Sequence, residues 1–233
     1  MRASSLARAG APSADARASR RARRPPAPPP RAASSSSSSS SPPPALAFRP
    51  GTDADAWTVR ASVLREGMNP LGLDPARFIV AEDAATRDVL GFGQLKPWET
   101  LSDREDAAGA VVRLLGLAPN WDGDLVELAS VVVAPSARRR GVGAALLREL
   151  VDEARRRASA KGTALTLCLL TLRRTTPFYR RAGFEVVEDA EAIPRPLRAE
   201  KAAGTVVAKL VADDECVVMR YRPDRDPGQQ RAS

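Results

Sequence analysis

The sequence predicts an α/β (α+β) fold: one mixed central sheet of six or seven strands with flanking helices. Three observations carry that expectation. Val131, Val132 and Val133 form a β-branched run suited to a strand covered on both faces, and Pro135, which cannot donate to a ladder, stops it. Beyond Gly143 the apolar positions Ala144, Leu146, Leu147, Leu150, Val151 and Ala154 recur at helical spacing, with Glu149, Asp152, Glu153 and three arginines on the other side. A further apolar run, 164–172, follows. Strand, helix and strand in one sheet imply a right-handed crossover and a parallel pair, whereas 78–82 and 89–96, joined by the polar turn DAATRD, read as an antiparallel hairpin. The sheet is therefore expected to be mixed.

Taken in order, residues 1–45 are a different kind of polymer. They hold serine without a break from Ser34 to Ser41, a PPAPPP run from Pro25 to Pro30 and a second proline triplet, Pro42 to Pro44. Such a composition buries too little apolar surface to fold. Eight of the chain's 36 basic residues lie in this stretch, all arginine, against only Asp15 of its 28 acidic ones. Almost all of the formal net charge of +8 is thus in the tail, and about +1 is left for 46–233. A nucleic-acid surface on the folded part is not expected. An Arg- and Ser-rich, acid-poor N-terminus is the signature of an organelle transit peptide, and its serine and proline load favours a plastid (chloroplast) over a mitochondrion. A tail that binds nucleic acid or an anionic membrane is the competing reading. No apolar core of a secretory signal follows the first basic residue, and no run of 18 apolar residues exists to span a membrane.

The stretch 46–222 suits a single domain, and 223–233 reads as a disordered tail. Within the domain, 46–49 is a short first strand. Asp53 is placed to cap a helix running to about Arg65, with Ala56, Trp57, Val63 and Leu64 on its inner side. Residues 68–75 form a loop with a turn of helix after it, and the hairpin follows. In the poorly patterned stretch 97–124, 110–117 is a further candidate strand. The central strand is 125–133, the central helix 142–158 and the next strand 164–172. Thr175 or Thr176 caps a short helix through Arg181, which Gly183 ends. A strand at 184–188, a helix from Pro196 to about Ala203 and a strand at 215–222 complete the reading.

Composition narrows the chemistry. The chain has no histidine, which excludes Ser-His-Asp and Cys-His mechanisms and zinc sites of the H-E-x-x-H kind; any acid or base must be Glu, Asp, Tyr, Lys or Cys. Cys168 and Cys216 lie in apolar runs without a C-x-x-C pair, so they read as buried thiols in a reducing compartment, and no metal is expected. The loop before the central helix is the place for ligand chemistry. Gly141 and Gly143 let the backbone approach a ligand, the first helical turn leaves N–H groups unpaired, and Arg138, Arg139 and Arg140 add positive field, so a phosphate is the expected occupant. A dinucleotide-binding fingerprint is ruled out, because Leu146 stands where its third glycine belongs.

The loop R-x-x-G-x-G (Arg138, Gly141, Gly143), set between an apolar strand and a helix, with FYRRAGF (Phe178, Tyr179, Gly183, Phe184) about forty residues later, resembles the GNAT superfamily of acetyl-CoA-dependent N-acetyltransferases. The succession MNPLGLDPARFIVAE, GFGQLKP, ELASVVVAP and LLTLRRTTPFYRRAGF is similar to the plastid-targeted GNAT proteins of plants. The resemblance implies an acyltransferase of GNAT fold with acetyl-CoA as cosubstrate. In it, Val131, Val132 and Val133 pair their main chain with pantetheine as an added strand does, and Arg138, Arg139, Arg140, Gly141, Val142, Gly143 and Ala144 hold the pyrophosphate. Leu172, Arg173 and Arg174 stand where the family has N-x-x; Leu172 departs from the asparagine, while Arg173 or Arg174 is placed to pair with the 3′-phosphate. Tyr179 protonates the departing thiolate and also touches the cofactor. Glu127, eleven residues before Arg138, stands where the histone-acetylating branch has its general base. The implied acceptors are protein N-termini and lysine side chains, attacked directly in a ternary complex. Small arylalkylamines such as serotonin, and a non-catalytic acetyl-CoA-binding regulator, are the alternatives.

Overall fold

The computed structural model of the protein describes residues 45–68, 72–98, 114 and 119–225. Seven strands form one sheet: β1 (Leu46–Pro50), β2 (Phe78–Asp83), β3 (Val89–Trp98), β4 (Asp124–Val133), β5 (Leu165–Leu172), β6 (Phe184–Val186) and β7 (Cys216–Tyr221). Their spatial order is β1-β2-β3-β4-β5-β7-β6. Every neighbouring pair is antiparallel except β4 and β5, which are parallel. Among the described residues, the helices α1 (Ala56–Arg65), α2 (Val142–Lys161), α3 (Thr176–Arg180) and α4 (Arg195–Ala212) flank the sheet. The mixed sheet and its single parallel crossover through α2 match the expectation. The candidate strand at 110–117 lies outside the described residues, apart from Leu114.

The helix α2 places the site. Of the positions expected from its periodicity, Leu146, Leu147, Leu150, Val151 and Ala154 are buried against Ile79, Leu95, Leu128 and Leu167 of the sheet, while Ala144, in the first turn, is exposed. Each fully buried leucine contributes about 1.5–3 kcal/mol. Its polar face is laced by Arg157 Nε to Glu153 at 2.8 Å and Arg156 to Glu149 at 2.8 Å. The helix ends at Gly162, whose φ of 68° is left-handed, with Thr163 N–H donating to the Ala158 carbonyl.

The opposite face of the sheet carries two clusters. Under α1, Val59 and Val63 meet Phe78, Val80, Phe92 and Val132. This corrects the inner side expected for the first helix: Val63 is inside as anticipated, but Val59 is its partner, while Ala56 is exposed, as are Trp57 (79%) and Leu64 (56%). The start of that helix differs as well. Asp55 rather than Asp53 makes the capping contacts, its carboxylate accepting from Thr52 N–H and Oγ1 and from both terminal nitrogens of Arg49. Arg49 also donates to Glu82 at 2.6 Å, so one buried network ties β1 and β2 to α1. Under α4, Ile193 and Leu197 meet Leu125, Cys168 and Val218. That helix runs nine residues past the expected end at Ala203 and fills the connection between β6 and β7.

Candidate active site

The parallel pair is short. The β4–β5 ladder joins Asp124 to Leu165 and ends at Glu127 with Cys168. Beyond that rung, among the described residues, β4 pairs only with β3, through Leu128, Ala129, Val132 and Val133, while β5 pairs only with β7, through Leu169 to Leu172. The facing edges of 128–133 and 169–172 have no ladder between them, which opens a gap in the middle of the sheet.

A bulge sets what looks into that gap. Gln94 pairs with Ala129 and Phe92 with Val132, so Ser130 and Val131 together oppose Gly93, and Ser130 adopts a left-handed φ of 51°. Simple alternation would put Glu127, Ala129 and Val131 on one face. The extra residue instead turns Val131 and Val133 to the α2 side, and Val132 to the α1 side.

On the α2 side lies a cleft of about 900 Å³, lined by Val131, Val133, Arg138, Arg139, Gly141, Gly143, Ala144, Leu147, Arg148, Val151, Phe178, Arg181 and Ala182. Its floor is apolar and its mouth is basic. The turn that leads into α2 is left-handed at Arg139 (φ 62°) and again at Gly141 (φ 83°), the helix N-cap. Successive N–H groups held this way, at the positive end of a twenty-residue helix, suit a diphosphate. The volume falls within the range of sites for cofactor-sized ligands. The residues present therefore fit coenzyme A: a basic turn for its phosphates, an apolar wall for its pantetheine arm, and a strand edge for its amides.

The sequence-derived candidates are distributed as follows. Val131, Val133, Arg138, Arg139, Gly141, Gly143 and Ala144 meet in the cleft. Val142 is fully buried in the core, so its part in the turn is main-chain only, and Val132 likewise offers only main chain. Arg138 is a strut: its Nε donates to the Val133 carbonyl at 3.0 Å, and its guanidinium pairs with Glu66, just past α1, at 2.5 Å. Arg140 is half-buried and not part of the cleft wall.

Leu172, Arg173 and Arg174 are not brought to the cleft. Leu172 is the last residue of β5, paired with Cys216; Arg173 donates to Glu215 at 2.8 Å, and Arg174 lies 3.6 Å from Asp214. These acids precede β7, so the pairing that aligns β7 with β5 delivers them to the two arginines. Arg148 and Arg181 stand at the cleft instead. Spacing held the clue: Arg148 lies seven residues after Gly141, two turns along the same helix face, and Arg181 three after Phe178.

Tyr179 follows Phe178 of the cleft wall. Its ring meets Phe178 edge-on at 5.0 Å and Phe184 at 6.2 Å. Burial raises its phenol pKa above the ordinary 10, with the Thr171 hydroxyl working the other way. The phenol stays protonated at neutral pH and is available as a proton donor.

Glu127 sits on the far side of the sheet from α2, 6% exposed, at the apex of the gap. Its Oε2 accepts from Trp98 Nε1 at 3.1 Å and lies 3.3 Å from Lys96 Nζ. Lys96 stacks over the Trp98 ring at 4.1 Å and reaches Glu200 of α4 at 2.8 Å. Burial first, and the nearby Glu200 charge second, raise the Glu127 pKa, opposed by Lys96 and Trp98. A carboxylate raised in this way is better matched to accepting a proton near neutrality than an ordinary one. Cys168, its neighbour on β5, is no competing nucleophile, since burial pushes its thiol up to about 12.

The profile of the family described as acetyltransferase (GNAT) matches residues 53–184. No curated protein matches the chain. Solved structures similar to it include N-acetylglutamate synthase from Neisseria gonorrhoeae with coenzyme A and N-acetyl-glutamate, 16% identical over 76% of this chain with a TM-score of 0.49. This chain spans only 35% of that synthase chain. Rv2747 from Mycobacterium tuberculosis, with CoA and NLQ, is 18% identical over 75% of this chain and 98% of its own, with a TM-score of 0.49. Arabidopsis thaliana NAA60, in complex with a bisubstrate analogue, is 16% identical over 76% of this chain and 97% of its own, with a TM-score of 0.45.

Proposed function

The chain belongs to the GNAT acetyltransferase family, and on that premise we propose that it moves an acetyl group from acetyl-CoA to primary amines of proteins, both N-terminal α-amines and lysine ε-amines, inside a plastid. The observation that carries this reading is the gap opened beyond Glu127 and Cys168, with the left-handed Arg139 to Gly141 turn at its mouth.

The thioester of acetyl-CoA supplies the activated acyl group; the rest is done by this chain's residues. Backbone N–H groups of the turn, with Arg139, Arg148 and Arg181, hold the phosphates. The free edge of β4 at Val131 and Val133 aligns the pantetheine arm and offers N–H groups to the oxyanion that develops on the acetyl carbonyl. Glu127 takes the proton of an acceptor amine, which is an ammonium at neutral pH with a reference value of about 10.4 for lysine. Tyr179 returns a proton to the leaving sulfur. The reaction is direct transfer in one ternary complex, in which holding the reactants together supplies much of the rate.

The plastid assignment rests on the first 45 residues, rich in arginine and serine and nearly without acid. It fails if the protein isolated from its source still begins at Met1. The acceptor assignment is tested by following release of free CoA thiol from the full chain with acetyl-CoA and a mixed peptide library, beside serotonin. Faster turnover of the peptides supports protein acetylation. Faster turnover of serotonin replaces it with a small-amine acetyltransferase, and turnover of neither leaves an acetyl-CoA-binding regulator.

A further inference from the structure

The connection between β6 and β7 is not a tight hairpin but a short turn followed by the eighteen residues of α4. Leu197 and Ile193 anchor that segment on Leu125, Cys168 and Val218, the sheet face that carries Glu127. Asn120 fixes its start, donating to the carbonyls of Glu191 and Ile193 and accepting from Arg195 N–H. Glu200 follows Leu197 by three residues, nearly one turn on the same helix face. The anchored helix thus lowers a carboxylate onto Lys96, whose ammonium is already the cross-strand partner of Glu127. One ammonium serves two carboxylates, and it lies closer to Glu200 (2.8 Å) than to Glu127 (3.3 Å).

We propose that Glu200 is a positioning residue for acetyl transfer: it draws the Lys96 ammonium toward α4, and so fixes how much negative charge Glu127 keeps for the incoming amine. The proposal rests on the reading of Glu127 as the base. With Lys96 wholly on Glu127, the carboxylate would be a tightly paired anion and a poor proton acceptor. Without Lys96 it would be a buried, uncompensated charge that protonates. Shared between the two acids, Lys96 holds Glu127 between these limits. Of the titratable groups on the neighbouring strands, the Cys168 thiol of β5 pairs across from Glu127, Arg220 of β7 pairs across from Cys168 and donates to Thr166 at 3.2 Å, and Cys216 further along β7 feels the Glu127 charge. Lys96 itself stays an ammonium: burial works to lower its pKa, but the contacts with Glu200 and Glu127 outweigh burial and raise it.

The two partners therefore have opposite effects, and that is the test. The full chain carrying ¹³C-labelled glutamate is titrated by NMR, with the Glu127 carboxyl resonance assigned by its loss in Glu127→Gln. Glu200→Gln is expected to move that titration down by about one pH unit, and Lys96→Met to move it up by a similar amount. Glu200→Asp keeps the charge and is expected to hold the midpoint near its original place. Midpoints that coincide in the parent, Glu200→Gln and Lys96→Met, with unchanged circular dichroism, overturn the proposal. The base reading fails separately, when Glu127→Gln turns over as fast as the parent, because the NMR titration does not depend on activity.

Discussion

Glu127 and Cys168 face one another across the last rung that joins β4 to β5. Everything assigned to the site follows from where that rung falls. On its closed side the parallel ladder holds the sheet together; on its open side the strands diverge and the cleft begins. In the proposed mechanism, a base at the apex would meet an acyl group delivered along the open edge, without any loop having to carry it there.

The bulge at Ser130 makes the open edge usable, because it turns Val131 and Val133 toward α2. Ser130 holds a left-handed φ of 51°, which costs an L-residue about 1 kcal/mol. Ser130→Gly is expected to raise the urea midpoint without changing the slope, whereas Ser130→Val should lower it by more than that amount and weaken acetyl-CoA binding. A Ser130→Val protein as stable as the parent would mean that the bulge is not under strain.

Tyr179→Phe removes a proton and leaves the ring contacts with Phe178 and Phe184 in place. Turnover should fall by about 10²-fold or more, while the affinity for acetyl-CoA stays within about twofold. Because burial raises the phenol pKa, the parent's rate should hold on the alkaline side to a pH above 10, and no phenol-dependent limb should appear below it. A rate constant unchanged by the substitution removes the acid role.

The Arg49, Asp55 and Glu82 network predicts a pH signature of stability. The Arg49 guanidinium, and then the Thr52 contacts, hold the Asp55 carboxyl well below the ordinary carboxylate range against the effect of burial. A depressed folded value gives stability that is present above the unfolded pKa of about 3.9 and is lost as pH falls toward the folded value. Asp55→Asn should cost about 2 kcal/mol at pH 7, with the gap from the parent narrowing below pH 4. Denaturant melts at pH 7, 4 and 3 measure it, and a gap that stays constant across them contradicts the assignment.

Much of this architecture is legible in the sequence. The valine run, Pro135 and the periodicity of α2 are local signals, and each appears where the pattern placed it. The Arg139 to Gly141 turn was equally readable, since glycine spacing at a helix start has few other uses. What escaped depends on partners distant in sequence. The bulge is invisible because no residue type marks it; a serine fills the left-handed position. Trp57 was expected on the inner side of α1 beside Val63, yet Val59 takes that place. The last helix, expected to end near Ala203, runs on to Ala212, and Gly204 lies inside it, where a Cβ would stand 3.0 Å from the Cys216 sulfur. Arg173 and Arg174 were assigned toward phosphate because their acids, Asp214 and Glu215, lie some forty residues on and are delivered by β7 pairing.

The central claim is that the cleft between β4, α2 and α3 is the seat of coenzyme A. Gly143 lies in its wall, where an added Cβ would stand 3.3 Å from Val133 Cγ2 and 3.5 Å from the Phe178 ring. Titration calorimetry of acetyl-CoA into the full chain and into Gly143→Leu tests this most directly. The account predicts one saturable site in the parent and an affinity at least about tenfold weaker in the variant, with both proteins equally folded by circular dichroism. Equal binding by the two proteins, or no heat with the parent, would contradict it.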